Sequence, residues 1–139
     1  MNISKFFSLA KNASKFSDFG ASKARHMGCV FVHKNKVISV GWNTEKEHPV
    51  QKKYNVERGF DSSCCKNSLH AEMYALVRCQ DLEIDWSKVN VFVYRELANG
   101  SPANSKPCEA CQKAMFDKGI KKENIFYISS IGEYHRMGD

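Results

Sequence analysis

Long apolar runs are missing from this sequence. Stretches such as Cys29-Val30-Phe31-Val32 are soon interrupted, far short of the roughly 20 residues that span a bilayer. Phe6-Phe7 follows Lys5 near the start, but Ser8, Lys11 and Asn12 break up any signal-peptide core. Three prolines and eight glycines among 139 residues exclude a collagen-like fibre. Internal repeats and low-complexity tracts are absent too, which excludes a repeat array. A chain of this length suits one domain, residues 1–139, and can bury a core without disulfide staples. The expectation is a soluble cytoplasmic domain with no membrane partner.

Acidic residues are outnumbered. Twenty-one Lys and Arg against 15 Asp and Glu give a net charge of +6. Such an excess favours anionic partners, either nucleotides or nucleic acid, but a solvated basic surface gives the same number.

Cysteine spacing says more. The six cysteines stand at 29, 64, 65, 79, 108 and 111. Without an export signal their thiols stay reduced, so clustered cysteines read as metal ligands before disulfides. Cys108 and Cys111 have the two-residue gap that lets two thiolates reach one ion. The others read as buried thiols.

Periodicity predicts the order α β β α β α β and therefore an α/β fold. Phe6, Phe7, Ala10, Ala13 and Phe16 share one face of a helix from Ser4 to about Phe16. Residues 28–34 and 37–43 read as a β-hairpin turning around Lys34-Asn35-Lys36. Residues 44–67 are polar and irregular, long enough for a short helix of their own. Ser68 offers a cap for a helix over 70–79, and Val89–Arg95 is a clear strand. A loop from Glu96 to Lys106 leads to Pro107, placed at the first position of a helix that Gly119 stops. Ile125–Ser129 closes as a strand, leaving Gly132 to Asp139 as a tail.

Two of these helix starts carry chemistry. His70-Ala71-Glu72 opens one, and Pro107-Cys108-Glu109-Ala110-Cys111 opens the other. One imidazole and two thiolates make a three-ligand zinc site with a fourth position for water, the pattern of catalytic rather than structural zinc. Helix N-termini favour thiolate over thiol. Glu72, two residues from a ligand and at an exposed-facing helix start, is close enough to take a proton from the water without binding the metal. A lone Cys-x-x-Cys also fits a redox pair or half a zinc knuckle, and a lone His-Ala-Glu carries little. Together they match the H-x-E…P-C-x-x-C zinc-deaminase signature.

From about Phe6 to Ser129 the chain resembles the cytidine/deoxycytidylate deaminase superfamily. Gly28-Cys-Val-Phe-Val and Val37-Ile-Ser-Val-Gly-Trp-Asn43 are similar to the family's first hairpin, which ends in Gly-x-Asn. Leu69-His-Ala-Glu-Met-Tyr-Ala-Leu76 is similar to its Ile-His-Ala-Glu-x-Asn-Ala-Ile helix, with Tyr74 departing from Asn. The resemblance implies a three-layer α/β/α sandwich around a central mixed sheet. It implies one catalytic Zn2+ on His70, Cys108 and Cys111, with Glu72 shuttling protons. Asn43, the backbone N–H of Ala71 and the carbonyl of Lys106 would contact substrate. The implied reaction is attack of an activated water on the amine-bearing ring carbon, giving a keto base and ammonia.

A free cytosine nucleotide, dCMP or CMP, is the expected substrate. The segment between Asn43 and His70 resembles the insertion of deoxycytidylate deaminases, and it carries Lys46, Lys52, Lys53 and Arg58 as phosphate candidates. By the same resemblance Arg25 and His26 would lie near the site mouth, with Arg25 a further phosphate candidate. The alternative is a deaminase of cytosine in single-stranded DNA or RNA, with Tyr94, Tyr127, Tyr134 and His135 as stacking groups; tRNA adenosine is a weaker fit. A non-catalytic zinc module is the third class, and Glu72 argues against it. A second, structural zinc on His48, Cys64, Cys65 and Cys79 lacks supporting spacing and is not expected. A homo-oligomer is left open.

Overall fold

A computed structural model describes residues 1–17, 25–45, 48–57 and 69–138. Helix α1 (Ile3–Ser14) is followed by strands β1 (His26–His33) and β2 (Lys36–Trp42) and by helices α2 (Pro49–Glu57) and α3 (Ala71–Cys79). Strand β3 (Val89–Glu96), helix α4 (Glu109–Lys118) and strands β4 (Ile125–Ile128) and β5 (Tyr134–Arg136) complete it. The five strands form one mixed sheet in the order β2-β1-β3-β4-β5. Only the β3–β4 pair is parallel, with α4 as its crossover, and the other pairs are antiparallel.

Strand alternation divides the core into two layers. Val30, Val32, Phe92, Tyr94, Phe126 and Ile128 meet Phe6, Phe7 and Ala10 of α1 on one face. Cys29, Phe31, Val91, Val93 and Ile125 meet α3 and α4 on the other. This is the three-layer α/β/α sandwich. Two glycines let the helices touch strand backbone. A Cβ at Gly28 would lie 2.7 Å from Ser14 N in α1, and one at Gly41 would lie 2.5 Å from Ala75 N in α3.

Local chemistry accounts for most element ends. Asn2 caps α1 by accepting from Lys5 N at 3.1 Å. The hairpin turns on Lys34 and Asn35, both left-handed at φ 52° and 63°, the geometry whose twist matches flanking strands. Gly119 ends α4 at φ 112°.

The structure departs from the sequence reading at four places and bears out the short helix expected in the irregular stretch. Phe16 lies past the end of α1, 67% exposed, against the Trp42 ring rather than in the core. The irregular stretch does hold a helix, α2, which Tyr54 ties to α4 by donating to Asp117 Oδ2 at 2.9 Å. Pro107 precedes α4 instead of opening it, because Cys108 is the N-cap. His70 is the N-cap of α3, and Ser68 falls outside the described residues. The supposed tail contributes β5, which adds an edge by pairing Arg136, His135 and Tyr134 with β4. Among the described residues no helix is long and apolar enough to cross a membrane.

Candidate active site

The N-termini of α3 and α4 converge on the sheet's α3/α4 face. His70 and Cys108 are both N-cap residues in extended conformation, and neither spends its side chain on capping. Those side chains turn toward each other. The Sγ atoms of Cys108 and Cys111 lie 3.5 and 3.4 Å from His70 Nδ1, and one ligand atom of each residue falls within 4.8 Å of the rest. Among the described residues this is the group of His and Cys side chains that could hold a metal ion. Its N/S2 donor set and spread fit a tetrahedral zinc ion that keeps one open position.

The two thiols share charge unequally. A hydrogen bond from the Cys111 thiol, with His70 adding, pulls Cys108 down to about 3. Cys111 is pushed well up by the same bond and by burial. A divalent ion bound there favours both as thiolates.

Glu72 is one residue into α3 from that cluster and only 1% exposed. The exposed-facing placement expected from sequence is wrong. Packing of α3 against β2 turns the first helical turn inward, so the carboxyl is enclosed. Its Oε1 is buried without a hydrogen-bond partner among the described residues. Burial pushes its pKa up to about 7, against the pull of His70. A carboxyl poised there can both accept and release a proton near neutral pH.

Several groups missed in the sequence hold this geometry. Gln51 of α2, fully buried, accepts from His70 N–H at 3.1 Å and donates to Asn55 Oδ1 at 3.0 Å. Thr44 N–H donates to the Leu69 carbonyl, joining the end of β2 to the approach to His70. Buried Ser105 donates to Val93 O and accepts from Ile128 N–H, both at 2.7 Å, bridging β3 and β4 just before Lys106-Pro107-Cys108. The Gln51/Asn55 pair at i,i+4 was the one visible signal for these. Nothing local marks Ser105.

The remaining candidates separate. The Asn43 amide accepts from Met27 N–H at 2.9 Å and donates to the Arg25 carbonyl at 3.0 Å, so it first fastens the start of β1. It keeps one N–H and one lone pair for another partner. Ala71 is buried in the first turn of α3, whose leading N–H groups have no intrahelical acceptor. Lys106 is exposed, its N–H donating to Asn104 Oδ1 at 2.8 Å. Arg25, Lys52 and Lys53 are exposed, while Lys46 and Arg58 lie outside the described residues. Tyr74 faces away from the cluster, its ring 5.1 Å from Trp42 and beneath Arg78.

Of the stacking candidates, Tyr94 is 7% exposed beneath α1 and unavailable to a base. Tyr134 stacks on Phe7, and Tyr127 on His135. For the second zinc, Cys79 Sγ donates to Ala75 O and His48 Nδ1 accepts from Val50 N–H. Cys64 and Cys65 lie outside the described residues.

The sequence profile of the cytidine and deoxycytidylate deaminase zinc-binding region matches residues 1–127. The chain belongs to the cytidine and deoxycytidylate deaminase family. It is a deaminase of cytosine compounds, and its His70, Cys108 and Cys111 could hold the zinc that the family's zinc-binding region implies.

Solved structures agree on the fold. A cytidine deaminase from Burkholderia pseudomallei aligns with TM-score 0.63 at 18% identity, over 97% of this chain and 91% of that one. The dCMP deaminase of cyanophage S-TIM5 gives 0.55 at 20% identity, over 91% and 81%. The cytidine deaminase of Mycobacterium tuberculosis gives 0.58 at 16%, over 100% and 93%. No curated protein sequence matches the deaminase significantly.

Proposed function

We propose that the protein hydrolyses the exocyclic amine of a cytosine nucleotide, dCMP or CMP, giving the uracil nucleotide and ammonia. One zinc ion on His70, Cys108 and Cys111 would lower the pKa of a water and so supply the nucleophile at neutral pH. Glu72 takes one proton of the attacking water at its buried Oε1 and gives it to the ring nitrogen, then takes the proton left on the added hydroxyl and gives it to the amine, which departs as ammonia. The Ala71 N–H binds the base carbonyl, the Lys106 carbonyl accepts from the amine, and the spare N–H of Asn43 reaches the sugar. Gln51 holds the His70 backbone so that its ring keeps Nδ1 on the two sulfurs.

The observation that carries this reading is Glu72 itself. It is enclosed, has an Oε1 without a partner, and stands next to a three-ligand cluster. A structural zinc takes four protein ligands and has no use for such a carboxyl. Leaving a buried polar atom unpaired costs about 1–3 kcal/mol, an expense that chemistry explains and packing does not.

A second reading has one observation in its favour. Lys106, Lys122, Arg136 and Tyr127 line a cavity of about 210 Å3 beside the approach to Cys108. Such a basic, aromatic-flanked hollow suits the backbone of a single strand. A panel of cytidine, CMP, dCMP, dCTP, adenosine and single-stranded DNA and RNA, read by ammonia release, separates the two. Turnover of mononucleotides with modest salt dependence supports the first. Turnover of strands alone, weakening steeply with salt, refutes it.

A further inference from the structure

Arg95 has no role in the chemistry above, yet it is placed for one. Along β3, Val91 and Val93 face the α3/α4 layer and Phe92 and Tyr94 face α1. Arg95 continues the first series, so it projects from the end of the strand onto the face where Glu72 and Cys108 lie. Its strand partner is Met27, two residues from Arg25. Arg25 is anchored in turn by the hydrogen bond from Asn43 to its carbonyl.

The guanidinium is incompletely used. Its Nη1 donates to the Asn104 carbonyl at 3.3 Å, and its Nε is buried with no hydrogen-bond partner among the described residues. Among the described residues the one ion pair is Lys113 with Asp117, so no carboxylate neutralises Arg95. Burial pulls its pKa down, Arg25 pulls the same way, and Glu72 opposes them. Strand pairing thus sets two cations, Arg95 and Arg25, near the same end of the sheet.

An unpaired, partly desolvated guanidinium beside a second cation is an anion site. We propose that Arg95, with Arg25, binds the terminal phosphate of the substrate and selects a 5′-nucleotide over the free nucleoside. A terminal phosphate monoester carries nearly two negative charges at neutral pH, matching two cations. A strand phosphodiester carries one. The neutral cytosine base needs neither, and its end of the site belongs to Glu72 and the ligand cluster. The segment that Arg95 grips through Asn104 runs on to Lys106-Pro107-Cys108, which sets the distance from phosphate to reacting carbon.

This inference rests on the nucleotide deaminase reading, and its test separates the two. The zinc-loaded protein and its Arg95→Gln and Arg95→Lys variants are assayed on dCMP, deoxycytidine and a cytosine-containing single strand. Binding of dUMP and inorganic phosphate is measured separately by calorimetry. For Arg95→Gln, kcat/KM on dCMP is expected to fall about 10- to 100-fold, mostly through KM, the scale of a lost charge-assisted hydrogen bond. Deoxycytidine turnover changes little, and affinity for dUMP falls by the same factor as for dCMP. Arg95→Lys recovers part of the loss, because it restores charge without the fork. Equal losses on dCMP and deoxycytidine, or none on dCMP, overturn the proposal. So does a preference for the strand that Arg95→Gln abolishes. If the parent protein turns over no cytosine compound, the function reading fails. The dUMP and phosphate titrations then decide Arg95 alone, and unchanged binding in Arg95→Gln refutes it.

Discussion

Gly41→Ala is expected to damage catalysis more than its single methyl group suggests. Gly41 sits in β2 where α3 crosses, and an added Cβ would lie 2.5 Å from Ala75 N and 2.9 Å from Ala75 Cβ. Carbon atoms pack at about 3.5–4.0 Å, so α3 must retreat by roughly 0.6–1.1 Å. The atoms in the way are backbone and a Cβ, neither of which can rotate aside. Overpacking of this kind costs about 1–3 kcal/mol. The retreat also carries the start of α3, and hence His70 and Glu72, away from Cys108 and Cys111. A displacement near 1 Å costs on the order of 10²-fold in rate. Gly28→Ala is the control, since its Cβ would strike α1 on the opposite face, 2.7 Å from Ser14 N. Urea unfolding of both zinc-loaded variants gives the stability loss, and ammonia release per folded molecule gives turnover. Both should lose stability, but only Gly41→Ala should lose turnover. Full turnover in Gly41→Ala, or an equal loss in Gly28→Ala, would show that the α3–β2 contact does not set the site.

Other substitutions test the remaining links. Glu72→Gln keeps the volume of the buried side chain and is expected to cut turnover by about 10²–10⁴-fold, with zinc and folding retained. Retention of more than about a tenth of the parent rate, well above that range, would remove Glu72 as the proton carrier. Cys108→Ala should lose metal by elemental analysis, starting from one zinc per chain in the parent. It should also unfold at lower temperature, because the ion ties the starts of α3 and α4 together; an active metal-free protein would contradict this. Ser105→Ala removes a donor to Val93 and an acceptor for Ile128 N–H. It should cost about 1–3 kcal/mol in urea unfolding, as buried partners are left unpaired. No loss would mean that the β3–β4 junction does not depend on that hydroxyl.

Whatever depends on neighbours within a turn or along one strand is legible in the chain before it folds. The apolar stripe of α1, the alternation of β3, the hairpin turn at Lys34-Asn35 and the stop at Gly119 are set by local sterics and periodicity. The ligand types and the two-residue gap of Cys108 and Cys111 are likewise local, and with His70 and Glu72 they pointed to the zinc chemistry before any fold was known. Packing decided the rest. Gln51 reaches His70, Ser105 reaches Val93 and Ile128, and Asn43 reaches Arg25, all across separations that no local pattern records. Strand β5 exists because β4 offers an open edge to a segment whose own three residues are all exposed. The burial of Glu72 follows from the close approach of α3 to Gly41, which turns a surface-looking helix start into an enclosed carboxyl. Arg95 reads as one more surface charge in a strand end. Only the sheet pairs it with Met27, two residues from Arg25, and only packing buries its Nε.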